Sequence, residues 1–270
     1  MSITAYKAFD ESLRCRDFQY EVGKTYKHDG SVKVCSSGFH SCENPLDCLS
    51  YYGLTTSRFA EVEVLGDTVS HSEDSKIASA EIHIKAELRL PDFIQRSVDY
   101  LLSLVDEKEE GVQAASGYYA QLAASGDCAK LAASGDSAKL AASGHYAQLA
   151  ASGDYAQLAA SGHSAKLAAS GDYAKLAASG DYAKLAASGD SAKLAASGHY
   201  AQLAASGKNS VIASASHNAK AKGEKGTWIS LAEFGDEGKC VGFATGCIGE
   251  EGLKADTWYS AKNGKLVEES

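Results

Sequence analysis

Between positions 113 and 221 one pattern of polar and apolar side chains recurs, Ala-Ala-Ser-Gly-Asp-Tyr-Ala-Lys-Leu, complete at Ala177 to Leu185. Eleven glycines, from Gly117 to Gly207, follow one another every nine residues without slippage. Ala-Lys-Leu-Ala-Ala has helical propensity. The seven residues between glycines are too few for a stable isolated helix, and a period of 3.6 would rotate the leucines around the axis from unit to unit. A strand fits better. With period 2, Ala120 and Leu122 point to one side while Tyr119 and Gln121 point to the other. Ten leucines, from Leu122 to Leu203, then stack as a core ladder, each contributing about 1.5–3 kcal/mol if fully buried. Alanine is a weak strand former, which works against this reading.

Nine residues cannot close a coil around a core, but two units can. The residue after glycine tests the doubling. One alternating set reads Tyr118, Asp136, Asp154, Asp172, Asp190, Lys208, and the other reads Asp127, His145, His163, Asp181, His199, His217. Every histidine falls in the second set, which favours 18-residue coils with two distinct faces. The expected fold is therefore a β-solenoid of 9-residue half-coils. Five to six coils at about 4.8 Å each would make a rod of roughly 25–30 Å.

The flanks are not repetitive. Strands are predicted over 2–9, 20–26, 32–35, 58–65 and 77–90, the last as one strand or a pair. Asn44-Pro45 should open a short helix ending near Gly53, with proline in its first turn. Phe93, Ile94, Val98, Leu101, Leu102 and Val105 form a helical stripe. After Leu203 the repeat decays in register, and strands are predicted over 227–234 and 240–248, with a hairpin turning at Asn263-Gly264. The domain reading is a small α+β domain over 1–92, a capping helix and linker over 93–112, the solenoid over 113–221 and a β-rich cap over 222–270. The helix and the tail would cover the solenoid's ends, whose strand edges would otherwise template aggregation.

The net charge of -9 is unevenly spread. Residues 1–112 hold 12 basic and 20 acidic side chains, whereas 113–221 hold eight lysines and six aspartates. An acidic rod mimicking nucleic acid is thereby excluded, and no basic patch for phosphate backbones forms either, so direct nucleic-acid binding is not expected. No apolar run approaches the ~20 residues that span a bilayer. No secretory signal is expected from the opening residues, and the seven cysteines are irregularly spaced. Free thiols in a reducing cytoplasm are expected.

The segment Ser37-Gly38-Phe39-His40-Ser41-Cys42-Glu43-Asn44-Pro45-Leu46-Asp47 carries a resemblance. With 20–26 upstream and 58–63 downstream, it resembles a family of uncharacterised phage and prophage proteins. These carry this N-terminal domain of unknown function, often before Gly-Asp/Tyr nonapeptide repeats, and their tails resemble 254–259. The resemblance implies a phage or prophage origin and a bacterial host-cell setting. It brings no established activity.

Several residue sets carry candidate chemistry. Cys35, His40, Cys42 and Cys48 are zinc-type ligands, but their spacing fits no zinc knuckle, and small buried thiols are the plainer reading. His40, Tyr52 and Glu61 or Glu63 loosely match an ADP-ribosyltransferase arrangement holding NAD, a fold-level analogy only. Asp136, Asp154, Asp172 and Asp190 invite comparison with calcium β-rolls, whose repeats need more glycine and aspartate than this unit offers. His145, His163 and His199 form a column that is expected to hold only exposed imidazoles. Ice binding is disfavoured by the absence of regular threonine. No metal and no cofactor is expected. The set chosen as an interaction face is Tyr119, Tyr146, Tyr155, Tyr173, Tyr182 and Tyr200, since tyrosine buries area at low entropic cost and keeps a polar tip. The resulting expectation is a non-enzymatic interaction protein, most concretely a steric inhibitor of a bacterial host-defence protein. The partner's identity and homo-oligomerisation are left open, no membrane partner is expected, and a transferase or a structural virion component are the alternatives.

Overall fold

The alternating repeat is realised as strands. The computed structural model describes residues 2–52, 57–70, 75–89, 92–93, 96–97, 99–100, 103, 112–235 and 237–269. The chain divides into two compact units, Met1–Tyr100 and Leu101–Ser270. No helix among the described residues is long and apolar enough to cross a membrane.

In the second unit, each 18-residue coil contributes one strand to each of two parallel sheets. The first sheet stacks Val112–Ala115, Lys130–Ala133, Gln148–Ala151, Lys166–Ala169, Lys184–Ala187, Gln202–Ala205 and Lys220–Gly223. The second stacks Gln121–Ser125, Lys139–Ser143, Gln157–Ser161, Lys175–Ser179, Lys193–Ser197, Val211–Ser214 and Trp228–Phe234. Within the repeat the pairing is strictly in register, as in Leu149↔Leu167 and Leu158↔Leu176. Leucines from both sheets meet inside, among them Leu131, Leu140, Leu149 and Leu158, with alanines such as Ala147 and Ala156 filling the thin space between. The solenoid runs to about seven turns, more than the five to six expected. Strands that lack the leucine still join the ladder, with Gln113 opposite Leu131 and Ala221 opposite Leu203.

The corners explain the glycines. A Cβ on Gly171 would overlap the carbonyl of Gly153, one coil earlier, and the same holds at Gly180 against Gly162. Gly180 also sits at φ 146°, where a side chain is strained. Two residues after each glycine the backbone enters the left-handed region although the residue is not glycine, as at Tyr119 (φ 61°), Ser137 (φ 59°), Tyr182 (φ 58°) and Asn209 (φ 55°).

Antiparallel strands end both sheets. Cys240–Cys247 pairs with Trp228–Phe234, and Tyr259 pairs with Ala221. Tyr259–Lys262 and Lys265–Glu268 form the expected hairpin, with positive φ at both Asn263 (54°) and Gly264 (70°), as a type I′ turn requires.

The first unit is a small sheet that closes on itself. Lys76–Leu88 pairs antiparallel with Thr25–Lys27, Phe39–Cys42 and Arg58–Ser70, and Ile3–Phe9 pairs with Arg58–Ser70 and Phe39–Cys42. Its interior holds Ala5, Phe9, Tyr20, Phe39, Val62, Val64, Ile82 and Ile84. A 3-10 turn (Pro45–Asp47) and the helix Cys48–Tyr51 follow Asn44, whose side chain accepts the Leu46 N–H. Two predicted strands are corrected. Over 20–26 only Thr25–Lys27 is a strand, because the chain turns at Gly23 (φ 83°). At 32–35 there is a turn closed by the Lys33↔Ser37 bridge, with Cys35 left-handed (φ 62°). Arg58–Ser70 runs beyond its predicted end and bends at two register shifts. The described residues between 92 and 103 are helical. Ile94, Val98, Leu101, Leu102 and Val105 of the predicted stripe lie outside the described residues.

Gly171→Ala should destabilise the fold by about 2–3 kcal/mol, the scale of overpacking, in urea unfolding. Gly242→Ala, with open space around it, should stay within about 0.5 kcal/mol. Equal effects would refute the close-approach account of the repeat glycines.

Candidate functional site

The six chosen tyrosines all occupy the left-handed corner position and all are exposed. The doubled coil separates them. Tyr119, Tyr155 and Tyr173 belong to one corner column, interrupted by Ser137. Tyr146, Tyr182 and Tyr200 belong to the other, interrupted by Ser164. The two columns lie nine residues apart, on opposite edges of the two-sheet rod. On the first edge Tyr155 and Tyr173 stack at 5.0 Å with an interplanar angle of 6°. On the second, Tyr182 and Tyr200 stack at 5.1 Å and 12°.

The second edge also carries the histidine column, and the rings join. Tyr146 meets His163 (6.3 Å), and His163 meets Tyr182 (5.1 Å). Beyond Tyr200 the run continues through His199 (6.3 Å) and His217 (5.5 Å) to Phe234 (4.9 Å). The histidines thus fill the gap that Ser164 would leave. Parallel in-register stacking forces this outcome, since like positions recur at one coil spacing.

The aspartates do structural work. Asp136, Asp154, Asp172 and Asp190 each accept, through Oδ1, the backbone N–H of the residue 18 positions on, at 2.7–3.0 Å. Asp127 and Asp181 do the same for His145 and His199. Those carboxylates are committed to amides, and no group of three or more metal-type side chains gathers among the described residues. On the sheet faces, Lys166 and Lys184 stand in register. Burial, and then the charge of Lys166, bring the Lys184 amine down to about 8.

A concave site occurs in the first unit. Ile3–Phe9 and Phe39–Cys42 share one ladder pair, Tyr6↔Cys42, and the barrel has a mouth beside it. Tyr6, Lys7, Cys15, Arg16, Cys35, His40, Ser41, Cys42, Cys48, Tyr51, Tyr52 and Lys76 line this cavity of about 260 Å³. Lys7 lies in register with Ile3, Ala5 and Phe9 on the inward face of its strand. It is 3% exposed, and its Nζ donates to the His40 carbonyl at 2.7 Å and, weakly, to the Cys15 thiol at 3.5 Å. The ammonium also faces the rings of Tyr20 (5.3 Å) and Phe9 (5.6 Å). Lys76 donates to the Tyr51 hydroxyl at 2.9 Å.

The sequence-derived chemical sets divide here. Cys35, His40, Cys42 and Cys48 all line the cavity but do not converge as ligands. All seven cysteines are free thiols. His40 Nε2 accepts the Cys35 N–H at 3.0 Å, so the imidazole pins the turn at 33–37. Burial, then the charge of Lys7, hold the His40 pKa below the usual imidazole range, opposed by a hydrogen bond with the Lys33 backbone. Tyr52 pairs with the Cys15 sulfur at 2.7 Å, and burial pushes its phenol upward. Glu61 is absent from the described cavity lining. It is buried and paired to Lys85 (2.6 Å) and Arg96 (3.3 Å). Glu63 lies beside Thr4 and His83 in the ladder. The transferase-like set is therefore split. Lys7 and Ser41 were missed by sequence reasoning, although a lysine in step with Ile3, Ala5 and Phe9 was a legible signal.

Asp172→Ala should cost about 0.5–1.5 kcal/mol in chemical unfolding and speed hydrogen exchange at the Asp190 amide, because that exposed donor exchanges a fixed carboxylate for water. Asp172→Asn, which keeps an acceptor, should cost less than half as much. Unchanged exchange would refute the ladder. For His40, a lowered folded pKa means that the unfolded chain binds more protons just below pH 6.5. Stability is therefore complete above about 6.5 and falls as pH drops toward the folded value. His40→Gln, which keeps an acceptor for Cys35, should flatten the stability difference between about pH 7.5 and about pH 5.5. An unchanged slope would count against that assignment.

Comparison with known proteins adds one match. Residues 3–96 match the model of a family described as Domain of unknown function (DUF7666). No curated protein and no solved structure matches the chain.

Proposed function

We propose that the chain is a protein-binding module without a catalytic step of its own, and that the aromatic edge holding Tyr146, Tyr182 and Tyr200 is its main contact surface. The observation supporting this reading is the run of ring contacts from Tyr146 through His163, Tyr182, Tyr200, His199 and His217 to Phe234. Exposed aromatic rings held by a rigid scaffold lose little entropy on docking. They offer the side-chain class that most often anchors interfaces. Tyr119, Tyr155 and Tyr173 form a second, shorter contact on the opposite edge.

The phage-like N-terminal segment points to a bacterial host protein as partner. A host-defence protein, blocked sterically, is the most concrete form of that target. The parallel, repeated backbone suits this role, because each coil holds its outward side chains at a fixed spacing that a partner can match.

The test is capture of partners from bacterial host lysate by the full chain, compared with two triple variants. Serine already occupies the same corner position at Ser137, Ser164 and Ser191, so tyrosine-to-serine changes suit the backbone. Tyr146→Ser/Tyr182→Ser/Tyr200→Ser should lose a stoichiometric partner while keeping the circular dichroism of the parent. Tyr119→Ser/Tyr155→Ser/Tyr173→Ser should retain it at reduced affinity. Absence of a partner, or its undiminished capture by both variants, overturns the reading.

A further inference from the structure

The mouth of the N-terminal barrel has the composition of an anion site. Its described lining contains Lys7, Arg16 and Lys76 and no carboxylate. Among the described residues no carboxylate pairs with Lys7, whose ammonium is nevertheless almost wholly buried. Its two hydrogen bonds, to a carbonyl and a thiol, leave one N–H and the whole positive charge uncompensated by an anion. Burying a charge in this way is costly unless a counter-charge meets it. The domain around it is acidic, so the cations have been gathered against the local trend.

A second observation is independent of charge. The Ser41 hydroxyl lines the same cavity, is buried, and has no hydrogen-bond partner among the described residues. An orphaned buried hydroxyl calls for an acceptor or donor supplied from outside the chain. Ser41 shares the inward face of Phe39–Cys42 with Phe39, by the two-residue alternation of a strand. Its hydroxyl and the Lys7 ammonium thus come from the inward faces of the two strands whose single ladder pair, Tyr6↔Cys42, borders the opening.

We propose that this cavity binds a small oxyanion of the phosphate class, as inorganic phosphate or as the terminal group of a phosphate monoester. Lys7 supplies the buried charge, Ser41 a neutral donor, and Arg16 the exposed charge at the rim. A dianion matches a lining that holds three cationic side chains better than a monocarboxylate does. The cavity of about 260 Å³ admits a phosphate with a modest organic group, and the exposed ring of Tyr51 at its lip offers a planar surface for that group. Barrel mouths are recurrent ligand sites. The His40 imidazole takes no part as a base, because its Nε2 is already occupied by the Cys35 amide.

The test is titration calorimetry of the full chain with inorganic phosphate, with adenosine monophosphate as a monoester, and with acetate as the carboxylate control. Saturable binding of either phosphate compound, with acetate much weaker, is expected. Which of the two binds tighter distinguishes the free anion from the ester. Ser41→Ala removes an unpaired hydroxyl, so it should leave the melting temperature of the unliganded chain equal or higher while weakening binding about fivefold or more. Arg16→Gln, at an exposed position, should weaken binding about tenfold or more with the fold intact. Lys7→Met should abolish binding. No saturable binding of either phosphate compound, acetate binding as tightly, or full affinity in both Ser41→Ala and Arg16→Gln would each overturn the proposal.

Discussion

The second unit depends on how closely successive coils approach at their corners. Where Gly171 passes over Gly153, the backbone of one coil lies against the carbonyl of the last. There is no room for even a methyl group. That contact sets the repeat length, because a glycine must return at every half-coil. It also holds the sheets in register, since neither can slip without placing a side chain in that gap. The leucine ladder supplies burial, but leucine would tolerate other spacings and the corner does not.

The surface inherits its order from the same constraint. Each corner places a left-handed residue and its neighbour in fixed columns. Side chains of one kind therefore meet their own kind, one coil apart. Carboxylates meet amides, as Asp154 meets the Asp172 N–H, and the polar corner becomes a second ladder beside the backbone's own. Rings meet rings, as Tyr182 meets Tyr200. Even the unfavourable pairing of Lys166 with Lys184 follows from it. Stability and recognition are thus written in adjacent positions, one column holding the coils together and the next facing outward.

The first unit obeys a different rule. Its sheet closes through the single Tyr6↔Cys42 pair, and beside that pair lies an opening instead of a continuous ladder. Lysine occupies a position that the strand pattern reserves for apolar residues, and it is tolerated because the His40 carbonyl and two aromatic rings face it. Glu61, by contrast, is neutralised by Lys85 and Arg96. Buried charge is thus compensated fully at one place in the barrel and incompletely at another, and the incomplete place is concave.

The repeat was legible because its determinants are local. Nine-residue spacing, two-residue alternation and the confinement of histidine to one alternating set define an 18-residue coil without tertiary information. The Asn44-Pro45 start and the Asn263-Gly264 turn are legible for the same reason, since each encodes its own dihedral angles. The strand ends were not. The stop at Gly23 and the turn at 33–37 depend on partners elsewhere in the barrel, including the His40 imidazole. The doubled coil already implies that the six corner tyrosines divide into two columns, but the chain's order did not reveal which rings stack, or that His163 bridges the gap beside Ser164, because side-chain contacts across coils exist only after stacking. The barrel mouth lies furthest from the sequence. Lys7, Arg16, Ser41 and Lys76 come from four separate segments, and only closure of the sheet brings their charges and the lone hydroxyl to one cavity.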